Sequence, residues 1–409
     1  MTRLSRLRLS SMTHDPQGRA TGARPARPDL STGAFAGRLS LYYAALCLVF
    51  GVHMPFFPLW LDAKGLDAAA IGLVLALPMI VRVVTVPFIA REVDRRNTLQ
   101  GAILAGSLAS VVFYVLLAFA GSRAAILAGF IAASIAFTPI MPLTEAYALQ
   151  ELPRRGLAYG PVRLWGSVSF IAATMIAGLV ADVVAPVRFI WVIVAMLAIN
   201  ALGALGLPPA SPHPPHEQNA PRLRTFLRAP AFLAVVAAAG LIQASHATFY
   251  GFSTLDWKSA GLGGVTIGIL WSIGVIAEIV LFAMSGRFPP LLSPANLLLI
   301  GGLAALLRWI AMAANPPFWM LPPLQSLHAL SYGATHLGTM GVIGRIAPRR
   351  LGATAQSYLS IVLGLSMAGM TALAGALFEA YGALSYAAMA LAAGIGVLIA
   401  LAGRAYWRS

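Results

Sequence analysis

Ten ionisable residues stand in or at the edge of otherwise apolar stretches of this chain. They are Arg82, Glu145, Arg163, Glu278, Arg308, His53, His246, His328 and His336, with Glu379 at the end of one stretch. A charge at mid-bilayer costs at least about 2.5–3.5 kcal/mol, so such residues mark a solute pathway or a proton relay. They can also act as polar glue between helices. Glu145 and Arg163 each lie nine residues from Arg154. If both arms are helical, the two side chains sit roughly 13 Å from the turn at 1.5 Å per residue. Equal depth on neighbouring helices permits an ion pair, which eases burial without necessarily stabilising the fold. Trp271 precedes Glu278 by two helical turns, and Gln243, His246 and Tyr250 fall at i, i+3 and i+7. That spacing makes a polar and aromatic stripe on one helix face, readable as a solute surface or as inter-helix hydrogen bonding. His328 and His336, eight residues apart, share a face too. Three Arg against two Glu leave a formal +1 within the stretches when the histidines are neutral, which one monocarboxylate would balance. Trp165, Phe170, Tyr250 and Trp271 could hold an aryl body beside it.

The elements that carry these residues are membrane helices. Of 409 residues, 59% are apolar and only 10% charged, against about 45–50% and 25% in a soluble chain. At about 20 residues per span, the apolar content supports twelve spans and no sizeable extramembrane domain. The apolar segments run near 39–61, 69–90, 99–120, 124–149, 163–184 and 187–208. After a polar break they run near 229–253, 264–285, 294–313, 317–341, 354–378 and 382–403. The domain reading is a basic disordered tail (1–37), a six-helix bundle (38–208), a cytoplasmic linker (209–228), a second six-helix bundle (229–403) and a short cytoplasmic tail (404–409). Met12 offers an alternative start within the first tail.

A net charge of +15 invites a nucleic-acid reading, but the positions of the charges remove it. With the N-terminus inside, the tail, the even-numbered loops and the C-terminus carry 21 of the 28 Lys and Arg residues. The outer loops carry only Lys64, Arg123, Arg188 and Lys258. This is the positive-inside rule with both termini cytoplasmic. The lone Cys47 permits no intramolecular disulfide. No HExxH, GxSxG or phosphate-binding loop is present, so we assign no catalytic residue, no metal site and no cofactor.

Several runs of residues resemble a known family. His53–Trp60 (HMPFFPLW) and Tyr159–Ser167 (YGPVRLWGS) resemble lactose permease at the same places. Val162–Val168 (VRLWGSV), His246 with Tyr250–Ser253 (YGFS), and Leu270–Glu278 (LWSIGVIAE) are similar to the phenylpropionic acid permeases of the major facilitator superfamily. Arg82, Arg308-Trp309 and the His328/His336 pair match there too, over residues 39–400. The resemblance implies an all-α fold of twelve transmembrane helices in two pseudo-symmetric six-helix bundles. It implies that Glu145, Arg163 and Glu278 contact substrate, with Phe170 where the permease stacks a sugar. It also implies that Arg308 and His328 belong to a proton-coupling network, with Asp94, Arg95 and Arg96 in a gating loop. Ser331 stands where that family has a carboxylate and Leu363 where it has a Lys; Ala90 and Asn97 replace the glycines of the gating loop.

These observations lead to a secondary active transporter of an inner membrane, a monomer that imports a small organic solute with protons. The substrate-binding set is Arg82, Glu145, Arg163, Phe170, His246, Tyr250, Trp271 and Glu278. The proton-coupling set is Glu278, Arg308, His328 and His336. The expected solute is an aromatic monocarboxylate. The alternatives are a sugar or nucleoside symporter, a transporter-like sensor or assembly factor that moves no solute, and an intramembrane enzyme. The charge split predicts that reporter fusions ending at Arg222 and at Ser409 both read cytoplasmic. A periplasmic signal at either point contradicts the twelve-span arrangement.

Overall fold

The computed structural model describes residues 31–211, 223–289, 291–348 and 351–407. The N-terminal tail up to residue 30, most of the linker and the Asp94 side chain lie outside the described residues. Ten helical segments are long and apolar enough to cross a membrane. The last of them holds two helices, Gly352–Tyr381 and Tyr386–Gly403, joined at Gly382–Ser385. A further broken segment, from Phe318 to Ile346, precedes that pair. The described residues thus make twelve helical passes. Spans one to three are Thr32–Ala63, Ala68–Arg96 and Leu99–Ala118. Span four is Arg123–Phe137 followed by Ile140–Arg154, and span five is Tyr159–Val183. Span six is Ile190–Leu205. Span seven is Pro230–Ala244 followed by Ala247–Ser259, span eight Gly264–Met284 and span nine Pro294–Ala313. Span ten is the broken one, and spans eleven and twelve are the final pair. The first helix starts at Thr32, inside the stretch read as tail from composition, because Ser31 Oγ caps it by accepting from Ala34 N at 3.3 Å.

The breaks follow local chemistry. Thr138-Pro139 interrupts span four, since proline supplies no amide donor and restricts the residue before it. Span seven breaks at Ser245-His246, where both side chains bond backbone carbonyls of the preceding turn. Span ten passes through a π-helical turn at Ala329–Ala334. Spans four and ten are fourth in their respective bundles, so an interruption recurs at the same place in both halves. Discontinuous helices at a repeat interface are where transporters of this build hold their solutes.

The start of span one packs against the end of span six, and the end of span twelve against the start of span seven. Arg38 at the start of span one donates to Gly206 O beyond span six at 3.3 Å. Trp407 Nε1 donates to Ala231 O at the start of span seven at 3.0 Å. At the other ends of the spans the two halves meet through backbone. A methyl group on Gly72 of span two would stand 2.7 Å from the Cα of Gly375 on span eleven. Gly178 of span five and Gly264 of span eight approach as closely. A carboxylate latches each contact. Asp182 accepts from the amides of Gly264 (2.7 Å) and Val265 (3.2 Å) and binds Lys258 Nζ at 2.9 Å. Glu379 accepts from Ala69 N at 2.9 Å. The carboxylates at the ends of spans five and eleven thus cover the N-termini of spans eight and two in the opposite half, where unpaired amides and the helix dipole favour an anion. Asp67 caps span two from its own chain side, accepting from Ala70 N at 2.8 Å and pairing with Arg123. Those bonds hold its carboxyl below the usual carboxylate range. The close approaches extend inward as far as Val83 and Gly364. Mid-span Arg82 is exposed, and the cleft between the halves lies inward of these close approaches.

Replacing both Gly178 and Gly375 with Leu should force the latched ends apart, toward the about 8–10 Å separation of ordinary helix pairs. Spin labels carried at Gly121 and Pro316 in a Cys47→Ser background should then move apart. An unchanged distance distribution would show that these glycines do not set the closure.

Candidate functional site

The second half holds the densest polar cluster, built around Arg308 of span nine. Its side chain is completely buried. Nη2 donates to Gln325 Oε1 at 2.6 Å, and Nη1 donates to His328 Nδ1 at 3.2 Å and to Ser331 Oγ at 3.4 Å. Phe249 and Trp309 each place a ring 4.6 Å from the guanidinium carbon, a contact that suits a planar, weakly hydrated cation. These bonds fix the neighbouring tautomers. His246 Nδ1 faces the carbonyls of Ile242 and Gln243 and so carries the hydrogen; its Nε2 accepts from Ser331 Oγ at 3.0 Å. His328 Nδ1 accepts from Arg308, so the neutral ring carries its proton on Nε2, which faces Glu278 Oε2 at 3.6 Å. Glu278 keeps 19% of its side chain exposed and His328 only 9%. A polar line therefore runs from the cleft at Glu278 through His328 to the dry Arg308. Among the described residues no carboxylate lies within ion-pair distance of Arg308.

The first half holds a wetter cluster. Arg163 Nε meets Glu145 Oε1 at 3.3 Å, with about a third of each side chain exposed. Tyr159 donates its hydroxyl to Glu145 Oε2, and the Tyr43 ring lies 5.4 Å from the Arg163 guanidinium carbon. Arg82 differs from all of these. It lies fourteen residues from either end of span two, is exposed, and has no hydrogen bond or ion pair among the described residues. Glu278 lies fourteen residues beyond the first residue of span eight. At 1.5 Å per residue both sit about 21 Å from the latched face.

The remaining residues singled out from sequence divide. His246 belongs to the Arg308 cluster and is fully buried. Trp271 turns into the core, donating to Thr254 Oγ1 at 3.2 Å and stacking on Phe249 at 4.7 Å. It does not share the cleft with Glu278. Tyr250 and Phe170 are partly exposed, on spans seven and five. His336 stands clear of the Arg308 cluster, its ring parallel to Tyr332 at 6.4 Å. His53 stacks on Phe57 and bonds Tyr114 OH at 2.9 Å inside the first half. At the terminal end of span two, Arg95 and Arg96 both bind Glu92. That acid was not singled out from sequence, though its i, i+3, i+4 spacing signals it. Gln325 was missed as well. Gln325, His328 and Ser331 recur every third residue, a pattern that marks one helix face.

Comparison with known proteins places this arrangement. Residues 35–388 match the model of the MFS_1 like family, and the chain belongs to that family of major facilitator permeases. It is 31% identical over 366 residues to the "Probable 3-phenylpropionic acid transporter" of Escherichia coli (strain K12), covering 87% of this chain and 94% of that protein. It is 30% identical over 369 residues to the "Maltose permease" of Geobacillus stearothermophilus, covering 88% of this chain and 92% of that one. The crystal structure of the nucleoside transporter NupG shares the fold, with a TM-score of 0.73 at 19% identity over 92% of this chain and 99% of that one. The protein is thus a multi-pass membrane transporter of a small molecule and not an enzyme.

The two clusters should respond differently to substitution. Arg308→Lys removes the fork that holds Gln325 and His328, leaving buried groups unpaired at about 1–3 kcal/mol each. The detergent-solubilised protein should melt at a distinctly lower temperature. Glu145→Gln should leave the melting temperature near the wild-type value while lowering uptake about tenfold, the equivalent of ~1.4 kcal/mol. Normal uptake in both Glu145→Gln and Arg163→Gln would reduce that pair to structural glue.

Proposed function

We propose that this transporter imports an aromatic monocarboxylate together with protons, across an inner membrane with both termini cytoplasmic. The observation that carries the reading is Arg82, a mid-span guanidinium with no ion pair to a protein anion among the described residues. An unpaired charge in that position is strongly disfavoured unless water or a solute compensates it. A carboxylate suits it best, because two parallel N–H donors match two oxygens. The similarity to a probable 3-phenylpropionic acid transporter points the same way, as do the partly exposed rings of Phe170, Tyr250, Tyr332 and His336.

Proton coupling falls to Glu278, the member of the polar line that reaches the cleft. While Arg308 donates to His328 Nδ1, that ring cannot take up a second proton on the same atom. A carboxyl exchanges protons as its charged neighbours come and go with alternating access. Arg163 is such a neighbour, since it belongs to the opposite half and rocks relative to Glu278. The second reading, a neutral sugar or nucleoside, is favoured by the Glu145, Tyr159 and Arg163 group, which can bind hydroxyls, and by the maltose permease relative.

The test uses purified protein in proteoliposomes with an acid exterior. Accumulation of 3-phenylpropionate, saturable and abolished by a protonophore, supports the reading; accumulation of maltose or a nucleoside instead selects the second. Arg82→Gln should weaken 3-phenylpropionate binding about tenfold or more, as expected for a lost charge-assisted bond. Glu278→Gln should keep counterflow exchange and lose gradient-driven accumulation. Full accumulation by Glu278→Gln would remove it from the coupling scheme.

A further inference from the structure

The π-helical turn of span ten places one side chain that neither the Arg308 cluster nor the ion pair of the first half uses. Tyr332 lies inside that turn. Its ring is parallel to His328 below it, at 5.2 Å and 14°, and to His336 above it, at 6.4 Å and 2°. Its carbonyl accepts from Gln243 Nε2 of span seven at 3.5 Å. Next to it, Gly333 packs against Leu281 and Glu278 of span eight. The ring is therefore held from both faces and the backbone from two sides. The hydroxyl, by contrast, has no hydrogen-bond partner among the described residues, is not among the fully enclosed polar atoms, and the residue is partly exposed. π-turns impose a local cost and collect at functional sites.

Depth and charge say where this hydroxyl lies. Tyr332 is fourteen residues beyond Phe318, the first residue of its span. Arg82 and Glu278 stand fourteen residues beyond the first residues of theirs. All three spans begin at the latched face, so by residue count the three side chains fall near the middle of their spans, about 21 Å in for the α-helical spans two and eight. Arg82 and Glu278 are also the charges that bear on the Tyr332 phenol. Tyr250 is the other partly exposed tyrosine nearby; it feels Glu278 and Arg308 instead. Of the two tyrosines, Tyr332 is the one with Arg82 among its neighbouring charges.

We propose that Tyr332 is a substrate-binding and specificity-determining residue: its hydroxyl donates to the same solute carboxylate that Arg82 clamps. This rests on the monocarboxylate reading above and adds the second half's ligand to it. One carboxylate oxygen pair then bridges span two and span ten, which belong to opposite bundles. The solute itself ties the halves together at mid-depth. A ring already fixed between two imidazoles loses little freedom when its hydroxyl is engaged, so the bond contributes most of its strength to affinity. Discrimination follows. A site that donates to a carboxylate from both sides rejects the corresponding alcohol, which cannot accept both bonds as an anion does.

The experiment measures binding of 3-phenylpropionate and of 3-phenylpropan-1-ol to the purified full chain, by calorimetry or thermal shift. The wild type, Tyr332→Phe, Arg82→Gln and the double variant are compared. Tyr332→Phe keeps the stacked ring and should weaken binding of the acid about tenfold while leaving the weak binding of the alcohol unchanged. The double variant should lose less than the product of the single losses, because both groups hold one carboxylate. Unaltered acid affinity in Tyr332→Phe, or fully multiplicative losses, overturns the assignment of Tyr332 and leaves the substrate reading standing. A wild type that binds maltose or a nucleoside but no aryl acid overturns both. If Tyr332→Phe is poorly folded, Tyr332→Trp, which keeps a stacking ring and supplies an N–H at another position, should give the same preferential loss of the acid. An equal loss for acid and alcohol would reject the proposal.

Discussion

A guanidinium that stays protonated and has no exposed surface sets the terms for the whole second half. Arg308 cannot shed its charge, so its donors can be met only inside the bundle, where Nε is left without a partner among the described residues. Gln325, His328 and Ser331 meet three of those bonds, and Phe249 and Trp309 cover its faces. To meet them, span ten must present residues 325, 328 and 331 on one side, and span seven must break at Ser245-His246 so that His246 can reach Ser331. Ser245 uses the same break to receive the Trp309 indole at 2.8 Å. The irregular backbone of spans seven and ten thus borders the cluster that holds this buried cation.

The two halves share an architecture and divide the chemistry. Corresponding breaks in spans four and ten and corresponding carboxylate latches from spans five and eleven follow the repeat. The polar clusters do not. The Glu145–Arg163 pair is solvated on the cleft wall, while Arg308 sits in a dry interior and reaches water only through His328 and Glu278. Rocking of rigid bundles changes the surroundings of groups at the cleft and leaves a core cluster intact. Groups that exchange protons or solute therefore belong at the cleft, and Arg308 is joined to that wall by its bond to His328.

Much of this was legible in the sequence, and the reasons are physical. Hydrophobic length exposed the spans because lipid tolerates no unsatisfied backbone. The Glu145–Arg163 pairing followed from equal spacing about one turn, and the partnership of Arg308 with His328 from family resemblance. Trp271 misled, because two turns of separation place residues on one face only while that face has one environment. The face of span eight is core at Trp271 and cleft at Glu278. The π-turn left no periodic mark, since it inserts its extra width without a proline or a glycine pair. Glu379 was placed at a span end and Asp182 was not singled out. Their role depends on a helix N-terminus from the other half, which no local pattern contains.

The serine at position 331 shows why a missing carboxylate need not mean a missing function. A carboxylate there would pair directly with Arg308 in a place closed to solvent, and the pair would need strong additional bonds to offset the desolvation of both charges. Ser331 instead passes a hydrogen bond from Arg308 to His246 and leaves the cation without a direct counter-ion. The negative charge is moved outward to Glu278, one imidazole away and at the wall of the cleft. That carboxylate keeps part of its surface exposed, whereas Arg308 has none. Displacing the acid by one ring thus spares the protein a fully buried ion pair and leaves the only strongly desolvated charge of the cluster on a guanidinium held by neutral acceptors.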